Sequence, residues 1–123
     1  MDKKAKVLLV EDDMFLRDIY SETLAGGGFD VSTAADGNEA LMKIKLGGWD
    51  MVLLDVVLPG LSGIQIMNEV RMLLVKPSKH ILFLTNSDDN AELEKVLGYT
   101  DGYLLKSAYT PAQLIEKVKT FVY

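Results

Sequence analysis

The chain has 123 residues, enough for one domain around one core and too few for a second sizeable one. Apolar residues make up 49% and charged residues 25%, a globular balance; the formal net charge of -5 argues against nonspecific nucleic-acid binding. The absence of cysteine excludes disulfides, thiolate catalysis and Cys-ligated zinc or iron–sulfur sites, and a single histidine, His80, cannot supply a multi-histidine metal site.

The start, Met1-Asp2-Lys3-Lys4-Ala5-Lys6, lacks the long apolar region of a signal peptide, and no later run approaches bilayer-spanning length. A cytoplasmic chain with no membrane partner is the expectation. Val7-Leu8-Leu9-Val10 is an unbroken apolar run, the pattern of a strand buried on both faces of a parallel sheet. Similar runs follow at Phe29–Ala34, Met51–Leu54, Ile81–Leu84 and Tyr103–Leu105. Helical patterns separate them. Phe15, Ile19 and Leu24, with Leu16 and Thr23 beside them, suggest the buried stripe of the first helix, which Gly26-Gly27-Gly28 stops. The second helix opens at Asp36 with Glu39 at capping-box spacing, runs through Leu41, Ile44 and Leu46, and ends at Gly47-Gly48.

The third helix opens at Ser62 with Gln65 three residues on, Leu61 and Ile66 standing as a hydrophobic staple. Ile66, Val70, Leu73 and Leu74 are expected on its buried side, before Lys76-Pro77-Ser78-Lys79 returns the chain to a strand. The fourth helix is predicted from about Asp89 to Leu97. The fifth opens at Thr110, with Pro111 at its first position, Gln113 closing the cap, and Leu114, Ile115, Val118, Phe121 and Val122 facing inward. Strands alternating with helices over short connections predict right-handed βαβ units, hence a parallel α/β sheet with helices on both faces. One domain is expected over residues 1–123, with its core at about 4–121.

Polar residues interrupt this pattern at the carboxyl ends of strands. The first strand ends in Glu11-Asp12-Asp13, the third in Asp55, the fourth in Thr85, and Lys106 directly follows the fifth. Open parallel sheets bind ligands outside these ends, where strand order reverses. An isolated aspartate there is often a turn former or helix cap, and Asp13 fits that role. The group as a whole is harder to dismiss. Converging carboxylates repel one another unless a cation offsets them, and a small hard ion such as Mg²⁺ suits one or two carboxylates, waters and a phosphate. In such a pocket Asp55 can act as a nucleophile and form an aspartyl phosphate. Lys106 and Thr85 can meet phosphoryl oxygens, and Glu11 can hold a metal-bound water.

The blocks Val7–Asp13, Ala35-Asp36-Gly37-Asn38-Glu39-Ala40-Leu41 and Asp50–Gly63, followed by Thr85 and Lys106, resemble the response-regulator receiver family of two-component signalling over roughly Lys4 to Phe121. The resemblance implies a flavodoxin-like, doubly wound five-stranded parallel sheet of order 2-1-3-4-5. It implies Asp55 as phosphoacceptor, with Glu11, Asp12, Asp55 and the Val57 carbonyl holding Mg²⁺ or Mn²⁺. It further implies phosphoryl contacts from Thr85 and Lys106 and an aromatic switch from Thr85 to Tyr103. A histidine kinase or phosphotransfer protein would supply the phosphoryl group, with self-phosphorylation and autodephosphorylation as accompanying activities. The output would pass through the face of the fourth helix, fifth strand and fifth helix to a partner protein, a second copy, or an output domain of a longer protein, without direct nucleic-acid contact.

Three positions depart from the family pattern. Ser107 replaces the proline that usually follows the lysine, so the expectation of a cis peptide lapses. Asn86 replaces a small residue after Thr85, and Val57 sets an apolar branched chain where a polar one is common. These three are expected to tune access to the site and the lifetime of the phosphoryl group. A pseudo-receiver, a protein-interaction module that signals without phosphorylation, is the competing reading; Asn86 and Ser107 favour it, while Glu11, Asp12, Asp55, Thr85 and Lys106 count against it. An unrelated flavodoxin-like binding protein fits worse, because acids stand where a phosphate loop would follow the first strand.

Overall fold

A computed structural model describes residues 3–87 and 90–123. The elements run β1 (Lys6–Val10), α1 (Met14–Gly26), β2 (Asp30–Ala34), α2 (Gly37–Lys45), β3 (Trp49–Asp55), α3 (Gly63–Val70), β4 (Ser78–Thr85), α4 (Ala91–Leu97), β5 (Tyr103–Leu105), a 3₁₀ turn at Lys106–Ala108, and α5 (Pro111–Val122). The five strands form one parallel sheet of order β2-β1-β3-β4-β5, as expected. Among the described residues no helix is long and apolar enough to cross a membrane.

The period-two alternation of strand side chains divides the core in two. Leu8, Val10, Val52, Leu54, Ile81 and Phe83 pack with Ala40, Ile44, Ile66, Met67, Leu93 and Val96, so α2, α3 and α4 cover one face. Val7, Leu9, Met51, Leu53, Leu82 and Leu104 pack with Tyr20, Leu24, Leu114, Ile115 and Val118 under α1 and α5. Burial on both faces explains why the strands read as continuous apolar runs and not as alternating ones.

Helix starts follow local chemistry. Asp13 caps α1 by accepting from the Leu16 N–H, Ser62 and Thr110 each form a full capping box, and Asn90 caps α4. The Asp36 cap departs from the expected box: Asp36 accepts from Glu39 N, but Glu39 reaches back to Ala35 N, one residue earlier than the cap. The predicted start of α4 at Asp89 lies outside the described residues.

Two burial expectations are corrected. Phe15 and Ile19 are exposed; the buried face of α1 is the Leu16, Tyr20, Leu24 row at i, i+4, i+8. This helix is apolar on more than one side, so periodicity alone admits both stripes. Leu74 is also fully exposed, because α3 ends at Val70 and a helical spacing carries no meaning beyond it.

The two ends of the sheet differ in charge. Acids gather at the carboxyl ends of the strands. Lys3, Lys4, Lys6, Lys76 and Lys79 rim a cleft of about 660 Å³ at the amino ends, where the Lys6 ammonium lies 4.9 Å from the Trp49 ring centre.

Candidate functional site

Strand register assembles the site. Val10 pairs with Leu54, so Glu11, one step on, lies beside Asp55. Asp55 pairs with Leu84, leaving Thr85 one step beyond, and Thr85 pairs with Leu105, which places Lys106 next. Alternation sets Glu11, Asp55 and Lys106 on the side of Leu9, Leu53 and Leu104, and Thr85 on the side of Phe83.

The Lys106 ammonium bridges two buried carboxylates, 2.6 Å from Glu11 Oε1 and 2.9 Å from Asp55 Oδ2. Glu11 is 1% exposed and Asp55 5%. Burial pushes the Glu11 carboxyl above the usual carboxylate range, and nearby Asp55 adds to this while Lys106 opposes it. Burial draws the Lys106 pKa down, but its hydrogen bonds to Glu11 and Asp55 outweigh that and leave it above the ordinary lysine value. Lys106 is therefore a cation at neutral pH. The peptide that follows it is trans, and Ser107 and Asn86 are exposed at the rim.

Glu11, Asp12 and Asp55 each bring a carboxylate oxygen within 4.8 Å of the others, with Asp12 on the solvent side. Among the described residues the Val57 carbonyl accepts no hydrogen bond, whereas Val56 O accepts from Gly63 N at 2.9 Å and Pro59 O from Gly37 N at 2.9 Å. An all-oxygen donor set of three carboxylates, with a free carbonyl two residues from Asp55, fits a small hard divalent cation. The site is of the divalent-metal type.

The predicted residues do not all converge. The Thr85 hydroxyl is engaged by its own loop, donating to Ser87 O at 2.7 Å and accepting from Ser87 N at 3.2 Å. Tyr103 lies on the edge strand β5, 36% exposed. Val57 is 76% exposed at the mouth, with its N–H 3.4 Å from Asp55 Oδ1.

Other residues supporting the site went unrecognised as such in the sequence. Tyr20 is buried within electrostatic reach of Glu11, Asp55 and Lys106, and burial raises its phenol pKa. Gly63 comes so close to Asp55 that an added Cβ would lie 2.2 Å from the Asp55 carbonyl oxygen. A glycine at the first position of a helix, where Gly is a poor helix former, is the signal that could have marked it. Arg17 donates to the carbonyls of Glu11 and Asp12, and nothing in residue spacing announces that.

Comparison with known proteins agrees with this geometry. Residues 7–119 match the family model of the response regulator receiver domain. The chain is 36% identical over 120 residues to the alkaline phosphatase synthesis transcriptional regulatory protein PhoP of Bacillus subtilis (strain 168), covering 95% of this chain and 48% of that protein. It thus spans about half the length of this curated relative. The chemotaxis response regulator CheY4 of Vibrio cholerae superposes with a TM-score of 0.83 at 32% identity, covering 97% of this chain and 99% of that one. The response regulator TrrA of Thermotoga maritima, solved in complex with Mg²⁺-BeF, superposes with a TM-score of 0.81 at 32% identity, covering 95% and 98%. Site, topology and both kinds of comparison agree: the chain belongs to the response-regulator receiver family.

Proposed function

We propose that this chain is a phosphorylation-dependent receiver, one domain over residues 1–123, that accepts a phosphoryl group on Asp55. The observation that carries this reading is a buried Asp55 held by Lys106 beside Glu11, with Asp12 completing an acidic triad at the strand ends. Asp55 Oδ2 is occupied by Lys106 at 2.9 Å, whereas among the described residues the hydrogen-bond donor to Oδ1 is the Val57 N–H, at 3.4 Å. Oδ1 is the freer oxygen and is assigned as the nucleophile. It attacks the phosphorus of a phosphohistidine; the new O–P bond forms as the P–N bond breaks, and the imidazole departs with the bonding pair. Lys106 then follows the negative charge from Asp55 to a phosphoryl oxygen.

Glu11, Asp12, Asp55 and the Val57 carbonyl are assigned to hold Mg²⁺ or Mn²⁺. When bound, the ion neutralises phosphoryl oxygen charge and offsets repulsion among the carboxylates. Val57 and Asn86 are assigned to tune access of water, and Ser107 to set the loop that carries Lys106. Thr85 releases Ser87 O to meet the phosphoryl group, and Tyr103 turns toward the vacated space. That biases the α4-β5-α5 face between two arrangements, one of which binds a downstream protein or a second copy. The phosphoryl donor is a histidine kinase or phosphotransfer protein, as membership of the family implies.

The test is incubation with Mg²⁺ and a small phosphodonor such as acetyl phosphate, followed by intact mass. One hydroxylamine-sensitive phosphoryl group on the wild type and none on Asp55→Asn is expected. Folded wild type that gains nothing from several donors would overturn this reading in favour of a pseudo-receiver.

A further inference from the structure

We infer that Arg17 is a positioning residue of the acidic pocket, acting through the backbone of residues 11 to 13 and not by touching a ligand. The inference rests on the reading of that pocket as a divalent-metal and phosphoacceptor site. Arg17 is the fourth residue of α1, closing its first turn, and is part-buried. Its Nη1 donates to two consecutive carbonyls, Glu11 O at 3.0 Å and Asp12 O at 3.3 Å. Its own main-chain N–H donates to the next carbonyl, Asp13 O, at 2.8 Å. One residue therefore satisfies three successive carbonyls of the acidic segment.

The rest of that segment is held as tightly. Glu11 N donates to Ala34 O at 3.1 Å, which anchors it to β2. Asp13 N lies 3.4 Å from Glu11 Oε2, and Asp13 Oδ1 accepts from Leu16 N at 3.1 Å. With its carbonyls drawn to the guanidinium, the segment turns the Glu11 and Asp12 carboxylates toward Asp55. Among the described residues Arg17 forms no ion pair, so its charge is not spent on the carboxylates a cation would use. Both bonds come from the one Nη1, whose donors are fixed in the plane of a rigid guanidinium, where an ammonium is a point charge on a flexible stem.

Arg17 acts on metal binding in two opposed ways, and this makes the inference testable. Its positive charge repels a bound cation, so losing the charge alone would tighten binding. Its hold on the backbone preorganises the ligands, so losing the hold would weaken binding. Residues that support metal ligands from outside typically change affinity by about 10–100-fold when replaced.

The experiment titrates the full chain with Mn²⁺, reading free ion by electron paramagnetic resonance, for wild type, Arg17→Lys and Arg17→Gln. A urea midpoint for each variant establishes folding. Arg17→Lys, which keeps the charge, is expected to bind Mn²⁺ about 10–100-fold more weakly, and Arg17→Gln, which also loses the repulsion, to bind more weakly than wild type by a smaller factor. Phosphorylation of Asp55 in both variants should recover as Mg²⁺ is raised to saturation, a shift in metal requirement that a general loss of structure does not produce. Wild-type binding with unchanged Arg17→Lys and tighter Arg17→Gln would overturn the inference and assign Arg17 a purely electrostatic effect. Absence of Mn²⁺ binding by the wild type would overturn the metal-site reading itself, and this inference with it. Should Arg17→Gln fail to fold, Arg17→Lys alone decides, since equal affinity in that variant refutes positioning.

Discussion

Replacing Lys106 with methionine removes the one ammonium that lies between two buried carboxylates. The aliphatic stem is kept, so the packing change is small and the electrostatic one large. Glu11 and Asp55 are 1% and 5% exposed, and Lys106 meets them at 2.6 and 2.9 Å. Removing one partner of a buried ion pair leaves an uncompensated charge and costs about 3–5 kcal/mol. For 123 residues the unfolding entropy is about 0.26 kcal/mol/K, so the midpoint temperature should fall by about 12–20 °C in the presence of a chelator. Two companion measurements isolate the cause. Saturating Mg²⁺ should narrow the gap, because a cation can stand where the ammonium stood and the variant no longer opposes it. Adding Glu11→Gln to Lys106→Met should recover much of the loss, because one of the two stranded charges is gone. Urea and thermal unfolding, followed by Trp49 fluorescence and far-ultraviolet dichroism, provide the numbers. A loss under about 1 kcal/mol with chelator, the range of an exposed pair, or a gap that Mg²⁺ leaves unchanged, would refute the reasoning.

Further outcomes follow from the same structure. Lys106, with its raised pKa, contributes fully below the ordinary lysine value of about 10.4, and that stability is lost as pH rises through the higher folded value. Glu11 runs opposite to a paired carboxylate: with its folded pKa raised, stability increases as pH falls from that value toward about 4.3, so urea midpoints across pH should show both limbs in wild type. Val57→Asn should shorten the phosphoryl lifetime by replacing an apolar group at the mouth with one that can orient water; timed dephosphorylation that is unchanged or slower sinks this idea. Phe15→Ser should change stability by no more than about 0.5 kcal/mol, whereas Tyr20→Ala should cost about 3–5 kcal/mol, and equal losses in denaturant melts would contradict the assigned face of α1. Gly63→Ala should destabilise by about 1–3 kcal/mol and weaken Mn²⁺ binding, since its Cβ would meet the Asp55 carbonyl, while Gly98→Ala, with nothing within 4 Å, should melt no lower than wild type.

Legibility in the sequence tracked the kind of interaction involved. The sheet was readable because strands buried on both faces are continuous apolar runs, and Asp55, Glu11 and Lys106 were readable because charge directly beyond such a run is costly without a purpose. Strand order came from resemblance to a family, and no feature of Val7–Val10 alone says that it pairs with both Val31 and Met51. The α1 face was misread because Phe15, Leu16, Ile19 and Tyr20 offer two apolar stripes, and only tertiary packing under α5 chooses Tyr20. Arg17 was invisible because its partners are carbonyl oxygens, which every residue has. The setting of Thr85 was equally hidden: a threonine after a strand does not reveal that its proton is committed to Ser87 O.

An excess of lysine at one end of the sheet, where Asp50 pairs with Lys79, and of carboxylate at the other, where Lys106 lies between Glu11 and Asp55, makes the molecule an electric dipole. Its acidic pole holds Glu11, Asp12 and Asp55, and the opposite rim carries Lys3, Lys4, Lys6, Lys76 and Lys79. In the field of a positively charged donor surface this dipole feels a torque as well as a pull, so the domain arrives with its strand carboxyl ends leading. Such steering raises encounter rates steeply at low ionic strength and fades as salt shortens the screening length to about 8 Å. Phosphorylating Asp55 exchanges its single negative charge for about two on the phosphoryl oxygens, a net gain of about one that deepens the moment, and a divalent ion more than offsets that gain. A phosphorylated domain without the ion is therefore a more strongly polarised molecule than the unphosphorylated, ion-bound one.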